Sequence, residues 1–248
     1  MTLTRVLNSL CETLLRAGAV DVTDASARRR CLVAAPHPDD EVLGCGATIA
    51  RKRAAGTEVR ILFASDGRHA RTEGVAPDAL ARIREGEARD AARRLGVAAD
   101  DVVFLGWEDG TLAAREVELR ARIALECARF QPDELLAPCR YDAHPDHEAL
   151  GRAADAAARA RSVPLLEYPV WFWTTPWWRR WARGGFGVKA VRTEGHLERK
   201  RDALAAHRSQ KALAEVDGGR FLRRFFQPAE LYFTFHQPSL GSATRLAQ

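Results

Sequence analysis

Residues 31–41 read CLVAAPHPDDE, a run in which an apolar strand passes directly into a polar loop. The first five residues are all small or apolar, which is typical of a strand buried on both faces of a parallel sheet. Pro36 ends this strand, and the residues after the loop predict a helix over Glu41–Ala55 with Gly56 as its C-terminal cap. The run therefore predicts a strand–loop–helix unit whose loop carries one histidine and two aspartates.

The same alternation of strand and helix continues along the chain. It predicts an α/β fold, a Rossmann-like three-layer sandwich with a mostly parallel sheet. Apolar residues spaced by three and four also predict an amphipathic helix within residues 1–18, so we expect an N-terminal helical extension (1–28) followed by one main domain (29–248). The further predicted strands and helices are Val59–Phe63, Asp78–Leu95, Val102–Leu105, Arg115–Phe130, Glu134–Ala137, Glu148–Ala160 and Leu165–Tyr168.

The composition is that of an ordinary globular protein, with 46% of the 248 residues hydrophobic and 29% charged. No stretch approaches the roughly 18 apolar residues of a membrane span, and the N-terminus lacks the layout of a signal peptide, so we expect a cytoplasmic protein without stable membrane insertion. The five cysteines contain no C-x-x-C pair, which argues against a disulfide framework and against a cysteine-rich zinc knuckle. A metal site in this chain would therefore use histidine and carboxylate ligands.

The net charge of +5 comes almost entirely from arginine, because the chain has only four lysines. Arginine is spread over most of the predicted helices, which favours solvated helix faces over a nucleic-acid-binding face; an anionic substrate group is a third interpretation. The expected partner is thus a small molecule rather than nucleic acid, and a homo-oligomer is also compatible with the sequence.

A second polar segment, HPDH at residues 144–147, follows the predicted strand Glu134–Ala137. Ligands of parallel sheets bind at the carboxyl ends of the strands, so this segment and the HPDD loop at residues 37–40 are expected at the same edge. Either segment alone could be a capped helix start. Two such loops at one edge favour a shared site.

The residue types in these two loops are those of a hydrolytic zinc site. Such a site needs about three histidine or carboxylate ligands, an open position for water, and a separate carboxylate that takes the water's proton. In the first loop, one aspartate can bind metal while its neighbour faces the water. If a helix begins near Pro145, His147 can bind the metal and His144 can face the substrate.

The two segments together resemble the PIG-L or LmbE-like deacetylases, which are zinc-dependent de-N-acetylases. The resemblance rests on Ala35–Glu41 and Asp142–His147 and covers roughly residues 30–235. Pro36 departs from the family, which more often has alanine before the first histidine. The supporting matches are Arg84-x-x-Glu87, Phe104-Leu105-Gly106, Asp109-Gly110, Lys200 and His207-Arg208-Ser209-Gln210.

The resemblance implies one Zn²⁺ per chain, bound by His37, Asp40 and His147. Fe²⁺ is an alternative, because sites with two histidines and one aspartate accept both metals. The implied reaction is hydrolysis of an N-acetyl or longer N-acyl group by metal-activated water. The implied substrate contains an amino sugar, either as a small N-acetylated sugar or as a glycoconjugate.

The resemblance also implies the catalytic residues. Asp39 would act as the general base, and His144 would stabilise the oxyanion or protonate the leaving amine. Asp146 would orient His144. These roles agree with those that the residue types themselves suggest, which are a metal site with one base and one acid beside it.

Several polar and aromatic residues are candidates for substrate binding. Five of the six tryptophans lie in Trp171–Trp181, a segment that could form part of the core or an oligomer interface, an aromatic wall for a sugar ring, or a contact with a membrane surface. Salt bridges on the surface of a helix explain Arg84 and Glu87 almost as well as substrate contacts do, and a packed loop position explains Tyr141 equally well. The substrate-binding candidates are Arg68, Arg84, Asp109, Tyr141 and Trp171.

A nucleotide-binding Rossmann-like module without hydrolase activity is the competing interpretation. Gly44-x-Gly46 follows a predicted strand, and Asp66 ends the next strand, where a ribose-binding acid would lie. However, Ile49 replaces the third glycine, and the two glycines fall inside the predicted helix rather than in the strand–helix turn. The nucleotide-binding pattern is therefore weak.

Overall fold

The computed structural model describes residues 3–177 and 185–235, which form one layered α/β unit. Eight strands within these ranges make a single sheet in the order β1-β7-β8-β6-β5-β2-β3-β4. Neighbouring strands are parallel except at β8, which is antiparallel to both β6 and β7. The strands are β1 (Val20–Asp21), β2 (Cys31–Ala35), β3 (Val59–Ser65), β4 (Val102–Trp107), β5 (Glu134–Pro138), β6 (Leu165–Tyr168), β7 (Phe186–Arg192) and β8 (Ala229–Phe235).

Helices cover both faces of this sheet. They are α1 (Leu3–Ala17), α2 (Thr23–Ala27), α3 (Asp40–Ala54), α4 (Pro77–Leu95), α5 (Glu116–Phe130), α6 (Pro145–Arg161), α7 (Leu197–Leu204) and α8 (Arg220–Arg223). The odd-numbered residues of β2 pack in one core cluster with α3, α4 and α7, and the even-numbered residues pack in a second cluster with α5 and α6. The predicted three-layer sandwich is therefore confirmed. Within the described ranges, no helix has the length and apolar character needed to cross a bilayer.

The predicted elements match the observed ones to within a few residues, but three strands were not predicted. β7 and β8 are antiparallel partners that extend the sheet past β6, and β1 adds two residues at its edge. The predicted N-terminal helix is α1, and its Leu15 is buried in the same core cluster as β2. Residues before position 28 thus pack against the main sheet, and the division at that position stays a prediction.

Gly44 lies where α3 crosses β6. A Cβ atom at this position would lie 2.2 Å from the ring of Tyr168, whose hydroxyl donates a 2.8 Å hydrogen bond to the carbonyl of Ala34 in β2. The ring is therefore fixed to the sheet and cannot move aside. α3 needs glycine here so that it can approach the strands closely.

Replacing Gly44 is expected to destabilise the protein. Gly44→Ala should lower the free energy of unfolding by about 1–3 kcal/mol, because the added methyl group overpacks a fixed contact. Gly86→Ala in α4 is the matched control: its Cβ would meet no atom within 4 Å, so it should raise stability by about 0.5–1 kcal/mol. Urea unfolding of both variants measures the difference, and equal midpoints would contradict the packing role of Gly44.

Candidate active site

The two histidine-containing loops meet at the carboxyl edge of the sheet, as the sequence predicts. Residues 36–39 follow β2 and residues 139–144 follow β5, its neighbour in the sheet. Together with the loops after β3 and β4 they line a cavity of about 950 Å³. Its floor is built from charged side chains, and a later segment around residues 210–216 forms part of its wall.

Three ligand atoms converge at the bottom of this cavity. His37 Nδ1 lies 3.2 Å from Asp40 Oδ2 and 3.3 Å from His147 Nε2, and the third side of the triangle, from His147 Nε2 to Asp40 Oδ2, is 3.2 Å. Asp40 is held in place because Oδ2 also accepts the backbone N–H of His37 at 3.1 Å. All three residues are buried.

Hydrogen bonding defines which atoms of His147 can accept. Nδ1 lies 2.8 Å from Asp142 Oδ2, so in the neutral ring Nδ1 donates its proton to Asp142 and the lone pair on Nε2 points into the triangle. Asp142 is itself fully buried and accepts the backbone N–H groups of Val170, Trp171 and Phe172 at 2.8–2.9 Å. A carboxylate that fixes the tautomer of a histidine in this way is the usual second layer of a metal site.

His37 is oriented from its other ring nitrogen. Nε2 lies 3.0 Å from Asp109 Oδ1 and 3.3 Å from Asp146 Oδ2, so Nε2 carries the proton and Nδ1 faces the triangle with its lone pair. Asp146 also accepts the backbone N–H groups of Gly110 at 2.8 Å and Leu112 at 3.0 Å. Asp146 therefore fixes both His37 and the turn after β4.

The triangle fits a zinc ion. In a tetrahedral site with ligand distances of about 2.0–2.1 Å, neighbouring ligand atoms are about 3.3 Å apart. Burial disfavours a charged His147, yet Asp40 and Asp142 raise the pKa of this histidine to about 9. The surroundings thus stabilise positive charge where the three acceptor atoms converge, and the donor set suits Zn²⁺ or Fe²⁺.

Asp39 lies beside the triangle in an unusual backbone conformation. Its φ angle of 124° is rare for any residue other than glycine, and its N–H donates to Glu41 Oε2 at 2.9 Å. Burial raises the pKa of Asp39 to about 6; nearby Arg84 opposes this effect and Asp40 adds to it. The Asp39 side chain lines the cavity, where it can receive a proton.

Arg84 holds this turn from α4. Its Nη2 contacts the carbonyl of Pro38 and lies 3.4 Å from Asp39 Oδ2, while Nη1 donates to the carbonyl of Gly67 at 2.8 Å. The side chain is only 3% exposed. Arg84 was predicted to bind substrate; it lines the cavity, and its guanidinium also contacts the backbone that shapes the loop of Asp39, so the substrate contact stays a prediction.

His144 precedes α6 and faces the cavity from the opposite loop. Its Nδ1 accepts the backbone N–H of Asp146 at 3.3 Å, so Nε2 carries the proton of the neutral ring. Burial, together with His147 and His37, lowers the pKa of His144 to about 4. Asp146 was predicted to orient His144; its backbone N–H donates to His144 Nδ1, while its carboxylate is turned to His37 and the turn after β4.

Comparison with known proteins identifies the family to which the two loops belong. Residues 32–158, slightly more than half of the chain, match the PIG-L family, described as GlcNAc-PI de-N-acetylase. The chain belongs to the PIG-L family. Probable N-acetyl-alpha-D-glucosaminyl L-malate deacetylase 2 from Bacillus cereus is 31% identical to this PIG-L protein over 189 residues, which cover 73% of this chain and 84% of the relative.

Solved structures with a similar level of sequence identity have the same fold. N,N'-diacetylchitobiose deacetylase from Pyrococcus horikoshii matches with a TM-score of 0.65 and 25% identity, covering 95% of this chain and 93% of that one. A conserved protein from Thermus thermophilus matches with a TM-score of 0.63 and 30% identity, covering 88% of this chain and 100% of that one. Because its named relatives are deacetylases, this PIG-L protein is a hydrolase of amide bonds, and the predicted family and enzyme class are confirmed.

The remaining substrate-binding candidates of this PIG-L protein divide into two groups. Trp171 lines the cavity and stacks on Phe221, with ring centroids 4.7 Å apart. Arg68 forms ion pairs with Asp66 and Asp78, and Tyr141 packs edge-on against Phe235; neither is among the described residues that line the cavity. Asp109 lies on the cavity wall, turned to His37.

The tryptophan-rich segment contributes to both the core and the cavity. Trp173 and Trp177 are buried in the core beside Phe172, which supports the core interpretation for them. Trp178 and Trp181 lie outside the described residues. Trp171 fits both the core and the substrate-wall interpretations, because its ring packs on Phe221 and its side chain also lines the cavity.

The glycines behind the nucleotide-binding interpretation have packing roles. Gly44 lies against Tyr168, and a Cβ on Gly46 would lie 3.0 Å from the side chain of Lys200. Both glycines lie inside α3, after its first turn. They allow close helix packing, and they do not form the strand–helix turn that cradles a phosphate group.

Sequence reasoning assigned no role to three buried residues of the site. Asp142 is the first residue of the second motif, and its position five residues before His147 was the one sign in the sequence that it contacts that histidine. Glu41 and His207 likewise belong to segments that carry the family resemblance. Glu41 Oε1 lies 3.3 Å from His207 Nε2, and both side chains are fully buried.

Proposed function

We propose that this PIG-L protein is a zinc-dependent hydrolase that removes an N-acetyl group from a substrate containing an amino sugar. The observation that carries the proposal is the triangle of acceptor atoms with sides of 3.2–3.3 Å. A base candidate, Asp39, and a donor candidate, His144, line the same cavity. Each of the chemical roles that amide hydrolysis requires is thus represented within one site.

His37, Asp40 and His147 would hold one zinc ion per chain, and Fe²⁺ suits the same donors. When bound, zinc supplies Lewis acidity, which polarises the acyl oxygen and makes water a stronger acid. The protein's part is to present three acceptor atoms with fixed orientation. Asp142 fixes His147, while Asp109 and Asp146 fix His37.

Asp39 is the proposed general base. Its carboxylate takes a proton from the attacking water as the new C–O bond forms at the acyl carbon. Arg84 and Glu41 hold the peptide group between Pro38 and Asp39, at its carbonyl and at its N–H, so the carboxylate stays aimed into the cavity. Proton transfer to a residue in a fixed position avoids the cost of ordering the base during the reaction.

His144 is the proposed hydrogen-bond donor to the oxyanion. With Nδ1 engaged by the backbone, the Nε2–H group is placed to donate. It can stabilise negative charge on the acyl oxygen as the tetrahedral intermediate forms, and the proton that Asp39 took from water then goes to the leaving amine as the C–N bond breaks. The products are a free amine on the sugar and acetate.

The substrate class is inferred from the relatives and the cavity together. The named relatives are deacetylases of N-acetylglucosaminyl malate and of diacetylchitobiose, which share an acetylated glucosamine unit. A cavity of about 950 Å³ lies at the upper end of the size range of small-molecule sites. Trp171 on its wall offers an apolar face for a sugar ring.

A substrate panel tests this proposal. Free N-acetylglucosamine, diacetylchitobiose, and malate-linked, inositol-linked, nucleotide-linked and lipid-linked N-acetylglucosamine are incubated with the zinc-loaded protein, and released amine and acetate are both measured. We expect equimolar amine and acetate from at least one member, loss of activity with a chelator, and recovery with zinc. Release of neither product from any member, by protein that carries zinc, would contradict the proposed substrate class.

A further inference from the structure

A buried pair of side chains connects the wall of the cavity to Asp39. The pair is Glu41, in the first turn of α3, and His207, which follows α7. Neither side chain is among the described residues that line the cavity. Any effect that they have on the reaction must therefore pass through other residues.

The first connection runs from Glu41 to Asp39. Glu41 Oε2 accepts the backbone N–H of Asp39 at 2.9 Å. Because the φ angle of Asp39 is 124°, its backbone lies in a region that residues other than glycine seldom occupy, and neighbouring contacts must hold it there. Glu41 supplies one of these contacts, and Arg84 supplies another at the carbonyl of Pro38.

The second connection runs from Glu41 to His207. Glu41 Oε1 lies 3.3 Å from His207 Nε2, within ion-pair distance but without hydrogen-bond geometry, and among the described residues neither atom has a hydrogen-bond partner. A fully buried carboxylate needs a compensating donor. His207 is the residue placed to supply it, and the contact fixes the direction in which Oε2 points.

The third connection runs from His207 to the wall of the cavity. His207 begins residues 207–216, which we call the mouth segment because its later part lines the cavity. The next residue but one, Ser209, is anchored on α4: its N–H and its hydroxyl donate to Glu87 at 2.9 and 2.6 Å. The position of His207 is thereby tied to the segment that a substrate would touch.

From these contacts we infer that His207 is a positioning residue, which sets the orientation of Asp39 through Glu41 and couples it to the mouth segment. The inference rests on the proposed role of Asp39 as the base. It assigns to the His207-Arg208-Ser209 motif a role in turnover rather than in binding the substrate. A substrate that presses on the mouth segment would thus act on the turn that carries the base.

Two substitutions at position 207 separate this role from a merely structural one. The glutamine amide nitrogen can take the place of His207 Nε2 and keep the contact with Glu41, whereas the shorter asparagine reaches only the position of Nδ1. We expect His207→Asn to lower kcat by about 10- to 100-fold, with KM changed by less than about two-fold. His207→Gln should stay close to wild type, and His196→Asn, whose histidine does not line the cavity, is the control.

A second readout needs no substrate. In the zinc-loaded, ¹⁵N-labelled protein, exchange of the Asp39 amide hydrogen should be at least about ten-fold faster in His207→Asn than in His207→Gln. The amide of Leu62 in β3 serves as the reference for global opening. Since this measurement does not depend on turnover, it tests the coupling even if the proposed substrate class is wrong.

The outcomes are distinct. Loss of kcat and faster Asp39 exchange in His207→Asn, both restored in His207→Gln, support the inference. Wild-type kcat in His207→Asn would overturn it. Equal acceleration of the Asp39 and Leu62 amides would also overturn it, because the histidine would then stabilise only the fold as a whole.

Discussion

Asp39→Asn is expected to lower kcat by about 10²–10⁴-fold while one zinc ion stays bound per chain. Asparagine has nearly the same shape as aspartate, so it can keep the backbone contacts that hold the turn at φ 124°. An amide cannot take the proton that the carboxylate takes. Because Asp39 lies outside the triangle of acceptor atoms, the metal affinity should be nearly unchanged.

Steady-state kinetics and metal analysis of the same preparation measure both halves of this prediction. Asp78→Asn is the matched control, since that aspartate is 76% exposed at the start of α4 and pairs with Arg68. It should retain wild-type kcat and zinc content. Full activity in Asp39→Asn would remove Asp39 from the mechanism, and a parallel loss of zinc would show that it is a ligand rather than the base.

His147→Gln is expected to have the other large effect, on metal binding itself. Changing residues that merely orient metal ligands already costs about 10–100-fold in metal affinity. Removal of a ligand should therefore weaken zinc binding by more than about 100-fold, and activity should fall with it. His147 is fully buried, with Nδ1 beside Asp142 and Nε2 beside Asp40.

Competition with a chromogenic chelator gives the affinity, and His196→Gln controls for the loss of a histidine elsewhere. Excess zinc should partly restore the activity of His147→Gln, because the remaining two ligands still select the same position. An unchanged zinc affinity in this variant would contradict the assignment of His147 to the metal site.

The fold could be predicted from the sequence because the central strands carry a strong signal. β2, β5 and β6 are buried on both faces, so their residues are continuously apolar or nearly so. β7 is mostly half-buried, so it lacks the continuous apolar pattern. β8 is antiparallel to both of its neighbours and lies outside the alternation of parallel strands and helices on which the prediction rested.

The site was predicted in part for a similar physical reason. Adjacent loops at one sheet edge follow from topology, so His37 and His147 could be brought together from the sequence. The direction in which a charged side chain points depends on tertiary packing. The Asp146 carboxylate faces His37, and the Arg84 guanidinium contacts the backbone carbonyls of Pro38 and Gly67. These contacts become visible only when α4 and the turn after β4 are in place.

The partners of buried charged side chains are what the sequence predicts least well. Glu230 accepts from the backbone of Ala47 and Thr48 and from Lys200, across three elements far apart in sequence. No local pattern relates these positions. The pairing of Glu41 with His207 spans a similar separation, so the motif that contains His207 could be recognised while its function could not.

The central claim is the position of the metal, because the structure offers two groups of ligand atoms that share His37. One group is His37 with Asp40 and His147, and the other is His37 with Asp109 and Asp146. Anomalous diffraction at the zinc absorption edge from crystals of the zinc-loaded protein distinguishes them. We predict one peak about 2.0–2.2 Å from His37 Nδ1, Asp40 Oδ2 and His147 Nε2. A peak beside His37 Nε2, Asp109 and Asp146 instead, or none near His37, would contradict the account.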